Sequence, residues 1–255
     1  MPSAFQALTQ KFDKICLLTL SNRTETRTKP MMRMLRNIGL ENESDICVYK
    51  TVPFPLNNII IKGINQMFNG QHFTKPAEFD CMRSHYNMIR TAYDEGVQNL
   101  LVMEDDLCFL KDEQRFIDVI HNMPEKYLFC QFDGFSMHPD LKNILDTTEC
   151  WVEHPSIGIW NTDMYAISRD GMKAYMDFQD KVCWVADGPM YQLAKNKVSG
   201  VYFTPVPLCI QADKNLVPSD IRNVEKADDN INYETDNVCH YYINTENYFE
   251  YLCHD

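Results

Sequence analysis

Apolar runs of strand length recur along this chain, and nearly every one is followed by a stretch whose apolar residues fall at helical spacing. "KICLLTL" (14–20) is a buried-strand run. In the stretch after it, Pro30 suits a first helical turn, Met31, Met34, Leu35 and Ile38 mark one apolar face, and Gly39 supplies a stop. "DICVYKTV" (45–52) reads as a second strand and Asn57 to Phe68 as a helix. "MRSHYNMIRTAYDEG" carries Met82, Tyr86, Ile89 and Tyr93 at helical spacing, closes on Gly96 and gives way to the strand "QNLLVM" (98–103). Then come a helix in "EQRFIDVIHNM", a strand in "KYLFCQFD", and a strand and helix in "DMYAISRDGMKAYMDF", with a break expected at Gly171. A short helix, "ADGPMYQLAKN", precedes a last strand-like run, "GVYFTPVPLCIQ". This alternation predicts an α/β fold with a mainly parallel sheet and helices on both faces. Ligands of such folds sit outside the carboxyl ends of the strands.

Past Ala212 the periodicity ends. Residues 212–255 read as a polar loop or lid and an aromatic tail, so the expectation is one domain, 1–255, with its core over 14–211. The net charge of −12 argues against nucleic acid as a partner, since that grip needs a basic surface. The apolar runs are too short to span a bilayer, so no transmembrane segment is expected, peripheral contact with a membrane staying open. The opening "MPSAFQALTQKFDK" lacks the apolar stretch of a signal peptide, and the ten cysteines include no Cys-x-x-Cys. A cytoplasmic chain with reduced core thiols is the expectation.

The strand "QNLLVM" runs into Glu104, Asp105 and Asp106. Adjacent carboxylates repel one another. A Mg²⁺ or Mn²⁺ ion holds such oxygen donors together, and so does plain exposure to water at a strand end. The acids alone do not separate a nucleotide-sugar site from that of a metal-dependent phosphoesterase or nucleotidyltransferase.

The surroundings of the triad are more telling. "CMRSHYNMIRTAYDEGVQNLLVMEDDLCF" resembles the central block of glycosyltransferase family 25, the lipopolysaccharide and collagen galactosyltransferase-like enzymes. There a Ser-His pair opens a helix and the next strand ends in Glu-Asp-Asp; here these are Ser84-His85 and Glu104-Asp105-Asp106. "LLTLSNRTETR" is similar to the family's opening strand and Arg-rich turn, "DMYAISRDGMKAY" to its Tyr-Ala-Ile-Ser strand and helix, "WVADGPMYQL" to its Val-Asp segment and "VYFTPVPLCIQ" to its closing strand. The resemblance covers roughly residues 14 to 211. It implies a GT-A-type (Rossmann-like) fold and inverting transfer of a sugar, galactose or a relative, from a nucleotide-sugar donor. The acceptor would be a glycan, or a lipid-linked or protein-linked saccharide.

Under that resemblance each candidate has a role and a plainer alternative. Glu104 and Asp106 are candidate metal ligands that stabilise the leaving diphosphate, with Asp105 beside the donor. Inversion needs a base, and Asp187 is the candidate; a helix N-cap is its other reading. Arg23 and Arg27 follow the first strand, where guanidinium groups fork onto a diphosphate or simply lie in a solvated turn. Thr19 and Leu20 end that strand, where main-chain groups meet a nucleobase. Ser84 and His85 face the nucleotide, or His85 is bonded within the structure. His240, after the lid, is a candidate third metal ligand. Among the tryptophans, Trp184 is placed to stack on an acceptor sugar, while Trp151 and Trp160 read as core. A non-catalytic, sugar- or partner-binding module remains the rival from outside enzymology.

Overall fold

The computed structural model describes residues 3–70, 72–133, 148–153 and 160–211. The expected lid, the tail and His240 lie outside the described residues. Helix α1 (Ala4–Lys11) starts at Ser3, whose hydroxyl accepts from the Gln6 amide while the Gln6 side chain accepts from the Ser3 amide. Strand β1 (Lys14–Leu20) follows, then a 3₁₀ turn and a single π-type turn over residues 21–28 that lead into α2 (Lys29–Asn37). Next come β2 (Cys47–Thr51), α3 (Asn58–Met67), α4 (Pro76–Asp94), β3 (Asn99–Glu104), β4 (Leu107–Phe109), α5 (Glu113–His121), β5 (Phe129–Gln131) and β6 (Val152–Glu153). The described chain closes with β7 (Met164–Ser168), α6 (Arg169–Val182), α7 (Gly188–Lys195), β8 (Val201–Phe203) and β9 (Cys209–Gln211).

Seven strands form the main sheet in the order β2-β1-β3-β7-β5-β8-β6. Strands β1, β2, β3, β5 and β8 run the same way, while β7 and β6 run against them. The sheet is thus mainly parallel, with helices on both faces, and successive residues of one strand enter different cores. Ile15, Leu17, Leu101 and Met103 join one core with Phe5, Leu8, Leu35 and Phe116. Cys16, Leu18, Leu100 and Val102 join the other with Met88, Ile89, Tyr165 and Tyr175. Burial on both sides is why these strands read as unbroken apolar runs. The cysteines among the described residues are free thiols. Among them too, no helix is long and apolar enough to cross a membrane.

Four local expectations need correction. Helix α4 begins at Pro76, where the Glu78 carboxylate accepts from the Thr74 and Lys75 amides, so Ser84 and His85 lie inside the helix rather than opening it. Helix α6 is unbroken at Gly171: a Cβ there would lie 2.1 Å from the Leu128 carbonyl oxygen, so glycine serves close packing. The last strand-like run is two strands, because Pro205 and Pro207 cannot donate to a ladder. One is β8; the other, β9, pairs antiparallel with β4 just after the acids, a pairing absent from the sequence reading. Finally, α1 buries Phe5 and Leu8 although no helix was expected at the N-terminus.

Candidate active site

The carboxyl ends of β1 and β3 meet at one edge of the sheet, with Leu18 in register with Glu104. Because β7 is antiparallel, its amino end reaches the same edge: Met103 pairs with Met164, and the Glu104 amide donates to the Asp163 carbonyl at 2.8 Å. One carboxylate oxygen each from Glu104, Asp106 and Asp163 therefore lie within 4.8 Å of one another. Asp105 and Asp106 are buried, and burial raises both carboxyls, Asp106 to about 6 with the charge of Glu104 adding to it. Burial pushes Glu104 up to about 7, against the pull of the Thr162 hydrogen bond. Arg27 is also buried, and its Nη1 donates to Asp105 Oδ1 at 3.1 Å and lies 3.7 Å from Asp106 Oδ2. Thr19 donates from its hydroxyl to Asp105 Oδ2 and shares a 2.9 Å hydrogen bond with Thr28. Asp106 Oδ2 accepts from Gln211 of β9 at 3.2 Å, whereas Asp106 Oδ1 is buried with no hydrogen-bond partner among the described residues.

Those observations fit a divalent cation. Mn²⁺ and Mg²⁺ take hard oxygen donors, and three clustered carboxylates with one orphaned oxygen supply them. A second cluster, Cys81, His85 and Glu104, also falls within ligand range. It fits poorly, because burial holds the Cys81 thiol well above its ordinary pKa, and both His85 nitrogens are engaged. His85 is fully buried, which lowers it to about 4 and keeps it neutral. Its Nδ1 lies 2.9 Å from the Tyr165 hydroxyl and its Nε2 3.0 Å from Glu104 Oε1. When Glu104 is ionised its carboxylate only accepts, so Nε2 then carries the proton and Tyr165 donates to Nδ1. Thr162 donates to the same Glu104 oxygen at 3.0 Å. Two fixed donors thus orient the carboxylate.

Asp187 precedes α7 without capping it through its side chain. Its Oδ2 accepts from the Asn161 amide at 3.1 Å, and burial raises its carboxyl. Asn161 holds a left-handed backbone at φ 102°, its carbonyl accepts from Gln131 at 2.9 Å, and its amide side chain reaches Asp163 at 3.4 Å. Such strain in a non-glycine residue persists only where neighbours fix it. Asn161 thereby ties Asp187 to the acidic cluster.

The structure therefore brings Thr19, Arg27, His85, Glu104, Asp105 and Asp106 into one connected network. Asp187 joins it through Asn161. Leu20 ends β1 and Arg23 lies in the turn after it, but Arg27 turns inward to the acids rather than lying in a solvated turn. Ser84 is held within α4, its hydroxyl donating to the Asp80 carbonyl at 2.7 Å. Sequence reasoning missed Asn161, Thr162, Asp163 and Tyr165. The available signal was "NTD" directly before the strand "MYAIS", whose antiparallel course delivers polar side chains to the carboxyl edge of its neighbours.

No family model matches the chain. Over 123 residues, 42% of this chain, it is 30% identical to procollagen galactosyltransferase 1 of Danio rerio. The match spans only 19% of that relative's length. Among solved structures, the apo form of mouse xyloside xylosyltransferase 1 overlaps 74% of this chain and 83% of its own at 7% identity, with a TM-score of 0.37. Mannose-1-phosphate geranyltransferase from Thermus thermophilus overlaps 75% and 73% at 10% identity, with a TM-score of 0.36. Overlaps this loose carry no argument about the site.

Proposed function

We propose that this chain is a metal-dependent, inverting glycosyltransferase that moves a sugar, galactose or a relative, from a nucleoside diphosphate donor to a saccharide hydroxyl. The observation that carries the reading is the convergence of Glu104, Asp106 and Asp163 at the sheet edge, with Asp106 Oδ1 buried and unpartnered among the described residues. The identity with a galactosyltransferase supports glycosyl transfer as the chemistry. Glu104, Asp106 and Asp163 would hold Mn²⁺ or Mg²⁺, which when bound offsets the charge developing on the leaving diphosphate.

The rest of the site follows from the chain's own groups. Thr19, Leu20 and Arg23 border the donor's nucleoside end. Arg27 and Asp105 fix the edge on which the donor lies, and the His85–Tyr165 pair and Thr162 orient Glu104. Asp187 takes the acceptor hydroxyl's proton as that oxygen bonds to the anomeric carbon. The carbon–diphosphate bond breaks on the opposite face and the diphosphate leaves with the electron pair. Burial makes Asp187 a stronger base than an exposed aspartate, which suits the task.

Thermal unfolding with UDP, GDP, CMP and dTDP, each with and without Mn²⁺, tests the reading in the natural protein and in Asp106→Ala. One nucleotide is expected to raise the midpoint only when Mn²⁺ and Asp106 are both present. No shift with any nucleotide in either protein would contradict it.

A further inference from the structure

An aromatic box stands beside Asp187. Trp160 and Tyr191 stack with centroids 4.0 Å apart and planes 17° from parallel. Trp184 is perpendicular to both, 6.0 Å from Trp160 and 6.1 Å from Tyr191, and His72 meets Trp184 at 6.3 Å. Next to the box lies a cavity of about 430 Å³ lined by His72, Phe178, Val182, Trp184 and Gln192. The volume is in the range of small-molecule sites.

The box is built to hold its shape. Gln179, buried in α6, accepts from the Trp184 amide at 2.8 Å and donates to the Val185 carbonyl at 3.3 Å. Tyr175 donates to the Ala186 carbonyl at 3.0 Å. A Cβ at Gly188 would lie 2.9 Å from the Trp184 ring, so glycine there lets the indole sit against the start of α7. Both tryptophans also connect directly to the acidic site. Trp160 precedes Asn161, whose amide donates to Asp187, and Trp184 stands three residues before Asp187 in the loop that Gln179 clamps.

We infer that this cavity is the acceptor subsite and that its ligand is a hexopyranoside; the inference rests on the glycosyl-transfer reading. A pyranose ring presents a face of C–H groups to aromatic rings and a rim of hydroxyls to polar ones. Trp184 and Phe178 supply the first, and the Gln192 amide and His72 imidazole supply the second. Gln192 already donates to Asn196 Oδ1 at 3.2 Å, whereas His72 Nδ1 is buried with no hydrogen-bond partner among the described residues, and a purely apolar ligand would leave it so. Asp187, the proposed base, stands three residues after Trp184 at the end of the same clamped loop.

Tryptophan fluorescence reports the site directly, because two of the chain's three tryptophans form the box. The third, Trp151, donates to the Val119 carbonyl and packs on Phe132. The experiment titrates the full chain, without metal or nucleotide, with methyl β-galactoside, methyl β-glucoside and the apolar control cyclohexylmethanol. A saturable emission change with at least one glycoside is expected, weakened tenfold or more in Trp184→Ala and in Gln192→Ala and unchanged in Asp94→Asn, which alters an exposed acid at the end of α4. Gln192 is a partly exposed helix residue, so its variant keeps the test valid if Trp184→Ala fails to fold. Absence of a response to both glycosides, equal binding by Gln192→Ala, or a response to cyclohexylmethanol alone would overturn the inference. Glycoside binding in a protein whose melting ignores nucleotides and Mn²⁺ would keep the saccharide site and remove the transfer reaction.

Discussion

Asp106 shows at the scale of one residue what the site costs the fold. Its carboxyl rises from an ordinary value near 3.8 to about 6, through burial first and the charge of Glu104 second. Between those values the folded chain keeps a proton that the unfolded chain has released. The cation-free protein therefore loses stability as pH rises through that window. Asp106→Asn removes the ionisation and with it the loss. Without added cation, the variant is expected to melt above the natural protein at about pH 7 and to lose that advantage near pH 4. Thermal melts across this range check it, and a variant that melts lower at neutral pH would mean that Arg27 and Gln211 already compensate the charge. A second lesson lies at His85. Its ring is neutral and bonded at both nitrogens, so it acts by orienting Glu104 rather than by touching a ligand.

Among the elements, the loop between α6 and α7 positions most for its size. It leaves α6 through Cys183 in a left-handed conformation at φ 52°, and Gln179 then binds it at Trp184 and Val185. Gln179→Ala deprives the Trp184 amide of its acceptor, an expected cost of about 1–3 kcal/mol in chemical unfolding. An unchanged unfolding free energy would show that the loop holds without the clamp. The elements also mark what could be read in advance. Strands such as "KICLLTL" and "QNLLVM" were legible because burial on both faces leaves unbroken apolar runs. Direction was not: nothing in the periodicity of "DMYAIS" says that β7 runs against β3, and only that direction brings Asp163 to Glu104. Arg27 reads from the sequence as either a diphosphate ligand or a solvated turn residue, because the π-type turn that carries it inward to the acids has no periodic signature. The true start of α4 was signalled by Lys75, Pro76 and Glu78, yet the apolar spacing begins later, at Met82.

For the molecule as a whole, the sheet edge is where the parts become one site. β1 brings Thr19, β3 and the turn after it bring Glu104, Asp105 and Asp106, and the segment before β7 brings Asn161, Thr162 and Asp163. The triad was legible as a strand-end cluster, whereas Asp163, which joins Glu104 and Asp106, needed the assembled sheet. A net charge of −12 means that cations also gather weakly at exposed acids, so a test of the centre needs a control for that background. The most direct measurement is Mn²⁺ titration followed by electron paramagnetic resonance, on the natural protein, Asp163→Asn and Asp94→Asn. Asp94 is an exposed acid at the end of α4, paired with Arg90. The account predicts one tightly held ion, bound about tenfold or more weakly by Asp163→Asn and unchanged in Asp94→Asn. Equal binding by Asp163→Asn, or no tight ion in the natural protein, would contradict it.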